Sequence, residues 1–165
     1  MRGLLAIIVA LFFLSSCYNA EESDFSRLQK VENSLIEQQD LSYDSTRAED
    51  LLQAYRIFMS SHPKSEKKPE LLFKYGEVSK AQGDYLTAAD AFYQIHNNYP
   101  DLPIAPLALF QQADCFEALN QRLTAKNTYQ EFTDRYPTHP YVDQAKGLIH
   151  LLHLSDEELI HEFQN

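Results

Sequence analysis

Chemistry in this chain of 165 residues would have to come from its six histidines, two cysteines or 24 carboxylates. His150, His153 and His161 gather near the C-terminus, and the first two share a helical face at i, i+3. A metal there would need one or two further ligands, with Asp156 or Glu157 nearest in sequence, whereas a solvated face is the ordinary use of such histidines. Cys115 stands among Ala113, Phe116 and Leu119, a setting in which a thiol packs as a small hydrophobe. Gly3, Gly76, Gly83 and Gly147 form no phosphate-cradling loop, and no Gly-x-Ser-x-Gly, His-Glu-x-x-His or Cys-x-x-Cys occurs. No carboxylate pair sits in an apolar run that would split an acid from a base. The expectation is a protein that is not an enzyme, with no catalytic residue, no metal and no cofactor beyond a covalent lipid.

The charge balance narrows the partner. Fourteen Lys+Arg against 24 Asp+Glu leave a net charge of −10. That excludes a phosphate-tracking nucleic-acid binder, which needs basic clusters, and a charge-driven hold on anionic lipid. A composition 44% hydrophobic with four Gly and no Trp is that of one globular domain. No small-molecule substrate is expected.

The N-terminus reads as an address. Met1-Arg2-Gly3 precedes an apolar run from Leu4 to Leu14, too short for a bilayer span, and Leu14-Ser15-Ser16-Cys17 closes it. Leu-Ser-Ser-Cys resembles the bacterial lipobox. The resemblance implies a lipoprotein signal peptide at 1–16, lipidation at Cys17, and anchoring at the outer membrane by several acyl chains. Residues 17–24 then read as a flexible acidic tether. The periplasmic face is the expected side, although Glu21 and Glu22 after the Cys are similar to a signal for surface export.

From there the chain repeats at an offset of 37. Pro69, Phe73, Ala81, Leu86, Ala88, Tyr99, Pro100 and Pro103 meet identical residues at Pro106, Phe110, Ala118, Leu123, Ala125, Tyr136, Pro137 and Pro140. Upstream, Tyr55, Phe58, His62 and Pro63 fall on Phe92, Ile95, Tyr99 and Pro100. Clear units therefore span 69–105 and 106–142, with a partial unit before them and capping helices over 142–164, in a domain covering 25–164. Leu72, Phe73, Gly76 and Ser79, like Leu109, Phe110, Ala113 and Phe116, are spaced as a first helix. Gln82-Gly83-Asp84 and Asn120-Gln121 break it. Leu86, Ala89, Phe92, Tyr93 and Ile95, matched by Leu123, Tyr129 and Phe132, supply the apolar positions of a second helix, which Pro100 and Pro137 stop. Phe25, Leu28, Val31, Leu35 and Ile36 predict one further amphipathic helix, either an N-terminal cap or the degenerate first helix of the partial unit. Ser155 to Glu158 is a capping box that would open a last helix to about Phe163.

Leu72, Gly76, Ala88-x3-Phe92 and Pro100, repeated as Leu109, Ala113, Ala125-x3-Tyr129 and Pro137, resemble the tetratricopeptide repeat. The implied fold is all-α, a helix-turn-helix solenoid of about three to four units. The junctions Asn97 to Pro103 and Phe132 to Asp143 are similar to those of two envelope families: the D-subunit lipoprotein of outer-membrane β-barrel assembly, and the Tol–Pal coordinator. The first implies a lipid-anchored protein–protein interaction adaptor working with an outer-membrane barrel complex. The second implies a coordinator of cell-envelope division. Resemblance to other tetratricopeptide domains implies that the first helices line a concave partner-binding groove, here Glu70, Phe73, Glu77, Lys80, Leu107, Phe110, Asp114 and Glu117. Phe73 and Phe110 could equally be core. Acidic side chains beside aromatics suit a partner with basic or hydrogen-bond-donating groups.

Overall fold

The computed structural model describes residues 20–34 and 45–154. The signal-peptide segment, Cys17, Leu35, Ile36 and the capping box from Ser155 lie outside the described residues. Seven helices follow in order: α1 (20–34), α2 (Ser45–Ser61), α3 (Lys68–Ala81), α4 (Tyr85–Asn98), α5 (Ala105–Ala118), α6 (Arg122–Arg135) and α7 (Val142–His153). No strand occurs among the described residues, and the fold is all-α. The chain divides into two compact units, residues 1–68 and 69–165.

In the first unit α1 and α2 form a hairpin. Phe25 packs on Phe58 with ring centroids 5.7 Å apart, and Phe58 packs on His62 at 4.8 Å. Tyr55 is buried and its hydroxyl donates to Glu32 at 2.8 Å. The 25–36 pattern is helical over its described part, and α1 pairs with α2. The expected flexible tether needs correction, because its last five residues belong to α1. Acidic side chains suit a helix N-terminus, and here they also find cations and donors. Ser65 Oγ donates to Glu21 at 2.6 Å, Lys67 lies 3.3 Å from Glu22 and over the Phe25 ring, and Asp24 pairs with Arg27 at 3.1 Å.

In the second unit α4 packs on α5, α5 on α6 and α6 on α7. The spacing of small against large residues sets how closely the helices approach. A Cβ on Gly76 would lie 2.8 Å from the Phe92 ring, so glycine lets that fully buried ring press onto α3. One repeat later Ala113 and Tyr129 hold the corresponding positions, both fully buried. The first helix of each repeat ends in the same way. Gly83 (φ 79°) and Asn120 (φ 57°) are left-handed. Gly83 N–H donates to Lys80 and Asp84 N–H to Ser79; Asn120 N–H donates to Glu117 and Gln121 N–H to Phe116. These are two Schellman closures. Asn tolerates the left-handed region better than other side-chain-bearing residues, but glycine is freer there. Asn120→Gly is therefore expected to leave thermal stability within a degree or two of wild type. Asn120→Val should lower Tm by roughly 2–4 °C per kcal/mol, for a strain of about 1 kcal/mol, by thermal circular dichroism.

The 37-residue period is also written in the junctions. The carbonyls of His62, Tyr99 and Tyr136 accept from Ser65, Leu102 and His139, whose own carbonyls accept from Lys68, Ala105 and Val142. Three successive junctions thus share one two-turn step into the next first helix. Not every apolar position of the second helices is buried: Leu86, Tyr93 and Leu123 are 62%, 46% and 71% exposed. Leu86 and Tyr93 share the outward face of α4 and Leu123 holds the equivalent place on α6, whereas Ala88 and Ala125 in the same first turns point inward and are fully buried.

Candidate protein-interaction surface

The first helices of the two full repeats, α3 and α5, are joined by an ion pair between Lys80 and Asp114, and Lys80 also donates to Gln111 at 2.8 Å. Two of the expected groove residues are thus engaged with each other. Glu117 accepts from the buried Tyr129 hydroxyl at 3.2 Å. Burial raises the Tyr129 phenol first and the neighbouring Glu117 and Asp114 raise it further, so it stays a donor across ordinary pH. Phe110 is 7% exposed and packs on Tyr129, Phe132 and Tyr141 with centroids 5.3 to 5.4 Å apart. It is core and not groove lining: its ring fills the space between α5, α6 and the start of α7. Phe73 is half-buried against Phe92 at 5.4 Å. What faces solvent is Glu70, paired with Lys74 at 3.1 Å, the exposed Glu77, and the part-exposed edges of Phe73 and Leu107. Spacing alone could not separate these cases, because one helical face carries both the core stripe and its rim.

Cys115 is fully buried on α5, and burial pushes its thiol up to about 11, which leaves almost no thiolate at neutral pH. His150 and His153 are exposed on α7, with His153 Nδ1 3.2 Å from Lys126 Nζ. Among the described residues no three His, Cys, Asp or Glu are placed to hold a metal ion, and no helix is long and apolar enough to cross a membrane. Arg122, at the first position of α6, reaches the C-terminal carbonyls of α7 and donates to Leu154 at 2.7 Å.

A polar cleft on the second-helix side was not foreseen from the sequence. It measures about 330 Å³ and lies where α4 and α6 flank α5. His96, only 4% exposed, bonds through Nε2 to Gln112 Oε1 at 2.8 Å, so Nε2 carries the hydrogen and Nδ1 is left without a partner. The signal was a departure from the repeat. At the 37-residue offset His96 stands where the neighbouring units have Met59 and Thr133. Burial lowers the His96 pKa below its ordinary 6.5, against the smaller raising effects of Gln112 and Glu131; Arg135 lowers it further. A depressed basic group gives stability that is present above the unfolded pKa and lost as pH falls through the folded one. Chemical-denaturation midpoints should therefore fall as pH drops below 6.5, and His96→Gln should flatten that part of the profile.

The arrangement defines a class: helix-turn-helix units closed by equivalent caps at Gly83 and Asn120 and joined by equivalent turns. The family model for the tetratricopeptide repeat matches residues 70–102 and 107–139, and these two stretches are tetratricopeptide repeats. Repeats of this kind stack into extended surfaces that ordinarily bind protein partners. No curated protein is similar enough to the chain to count as a match.

Proposed function

We propose that this protein is a lipid-anchored adaptor of the bacterial outer membrane, working on its periplasmic side as an accessory of β-barrel protein assembly. The observation that carries this reading is the combination, in one chain, of Leu14-Ser15-Ser16-Cys17 with tetratricopeptide repeats joined by aromatic-Pro-x-x-Pro turns at Tyr99 and Tyr136. A lipidated Cys17 would hold a stable, enzymatically inert scaffold beside membrane machinery. The exposed rim of α3 and α5, with Glu70, Phe73, Glu77 and Leu107, would then present carboxylates beside an apolar edge to a basic or donor-rich partner segment.

The test is affinity purification of the C-terminally tagged protein from membranes solubilised in mild detergent, with mass spectrometry of what co-purifies. The expected result is a large outer-membrane barrel with accessory lipoproteins. Recovery of peptidoglycan synthases or Tol–Pal components instead would make this an envelope-division coordinator. A protein that partitions as soluble when Cys17 is intact would remove the anchor from the reading.

A further inference from the structure

We propose that the bilayer holding the anchor is itself a partner of this protein, contacted by the α1–α2 face of the first unit. The proposal rests on the lipid-anchor reading above and adds a defined surface to it. Residue 20, the first described residue of α1, lies three chain positions after Cys17, with only two residues between them. Even fully extended, three positions reach only about 10 Å. The start of α1 cannot lengthen this leash without breaking contacts, because Glu21 is held by Ser65, Glu22 by Lys67, and Phe25 by Phe58 and the Lys67 ammonium. A lipid on Cys17 therefore keeps the first unit against the membrane surface instead of trailing it on a flexible stalk.

The unit offers one face suited to that position. Between α1 and α2 runs a groove of about 220 Å³ whose walls include Leu28, Val31, Ala54 and Phe58, and Ile57 stands at it 56% exposed. The net charge of −10 would oppose contact with anionic headgroups, but at this end it is largely offset: Arg27 pairs with Asp24, and Lys67 lies between Glu21 and Glu22, so these three carboxylates carry two cations. The face is too small to hold a membrane alone. On a leash this short its contact becomes intramolecular, with an effective concentration that makes a weak apolar contact persist.

The chain has no tryptophan, so one introduced residue reports its own surroundings. The lipidated full-length mature protein, as Ile57→Trp or as Gln29→Trp on the side of α1 away from the groove, is reconstituted into vesicles of phosphatidylethanolamine and phosphatidylglycerol with brominated acyl chains. Both sites are exposed, and far-UV circular dichroism checks that each variant keeps its helices. Flotation reports anchoring, and emission reports contact with lipid. The expected result is flotation of both variants, with emission of Ile57→Trp falling by about half and that of Gln29→Trp unchanged. Flotation without quenching of Ile57→Trp, as when a protein partner and not lipid covers the groove, overturns the proposal and leaves the anchor standing. Equal quenching of the two variants also overturns it. Failure of both to float overturns the anchor reading, and this inference with it.

Discussion

Phe92→Ala is expected to cost about 3–5 kcal/mol, enough to consume much of the stability of an ordinary domain. Phe92 is fully buried, its ring stands 5.4 Å from that of Phe73, and it occupies the space left by the missing Cβ of Gly76. The opposing surface at Gly76 has no side chain to move into the void, so only repacking of Phe73 and its neighbours could shrink it. The measurement is urea denaturation followed by helical circular dichroism, with the midpoint expected to fall by about 1.5–3 M if the slope is unchanged. The same contact predicts a coupled pair. Gly76→Ala gains about 1 kcal/mol of helix propensity but places a methyl 2.8 Å from a ring that cannot retreat, and overpacking of that kind costs about 1–3 kcal/mol. In a Phe92→Leu background the clash is relieved, so Gly76→Ala should become neutral or stabilising. Additive effects in that double-mutant cycle would show that glycine is not there to admit the ring.

The same site shows how much of the fold could be read from the sequence. Gly76 and Phe92 were legible because they recur as Ala113 and Tyr129 at a fixed offset, and a repeated small–large pair records a repeated close approach. The helix breaks were legible for a related reason. Gly83 and Asn120 are residue types that enter the left-handed region, and both occupy it. Three things were not legible. The helical state of residues 20–24 depends on Ser65 and Lys67, more than forty positions away, so local composition read it as a solvated spacer. The exposure of Leu86 and Leu123 follows from their place on the outward face of a second helix, and identity at the offset guarantees only that both share one environment, not that it is buried. The His96–Gln112 pair breaks the repeat and so leaves no periodic trace. Its only mark in the sequence is that it differs from Met59 and Thr133.

Within the expected groove the structure separates stability from binding, and the separation can be measured. Phe110→Ala should destabilise by about 3–5 kcal/mol, because a ring 7% exposed between Tyr129, Phe132 and Tyr141 leaves a cavity that three large aromatic side chains cannot close together. Asp114→Lys should also act on stability, since it turns the attraction to Lys80 into repulsion between α3 and α5. Glu77→Lys is different. Its side chain lies on the exposed rim of α3, so thermal unfolding should move by no more than about 0.5 kcal/mol. Affinity for a basic partner segment should fall by about tenfold, and the loss should shrink as salt is raised. The partner recovered with the tagged protein supplies the ligand for that titration. If Glu77→Lys binds as wild type does while Phe110→Ala loses binding only in proportion to the fraction unfolded, the first-helix rim is not the docking surface. The partner must then be sought on the second-helix side, where Leu86, Tyr93 and Leu123 are exposed.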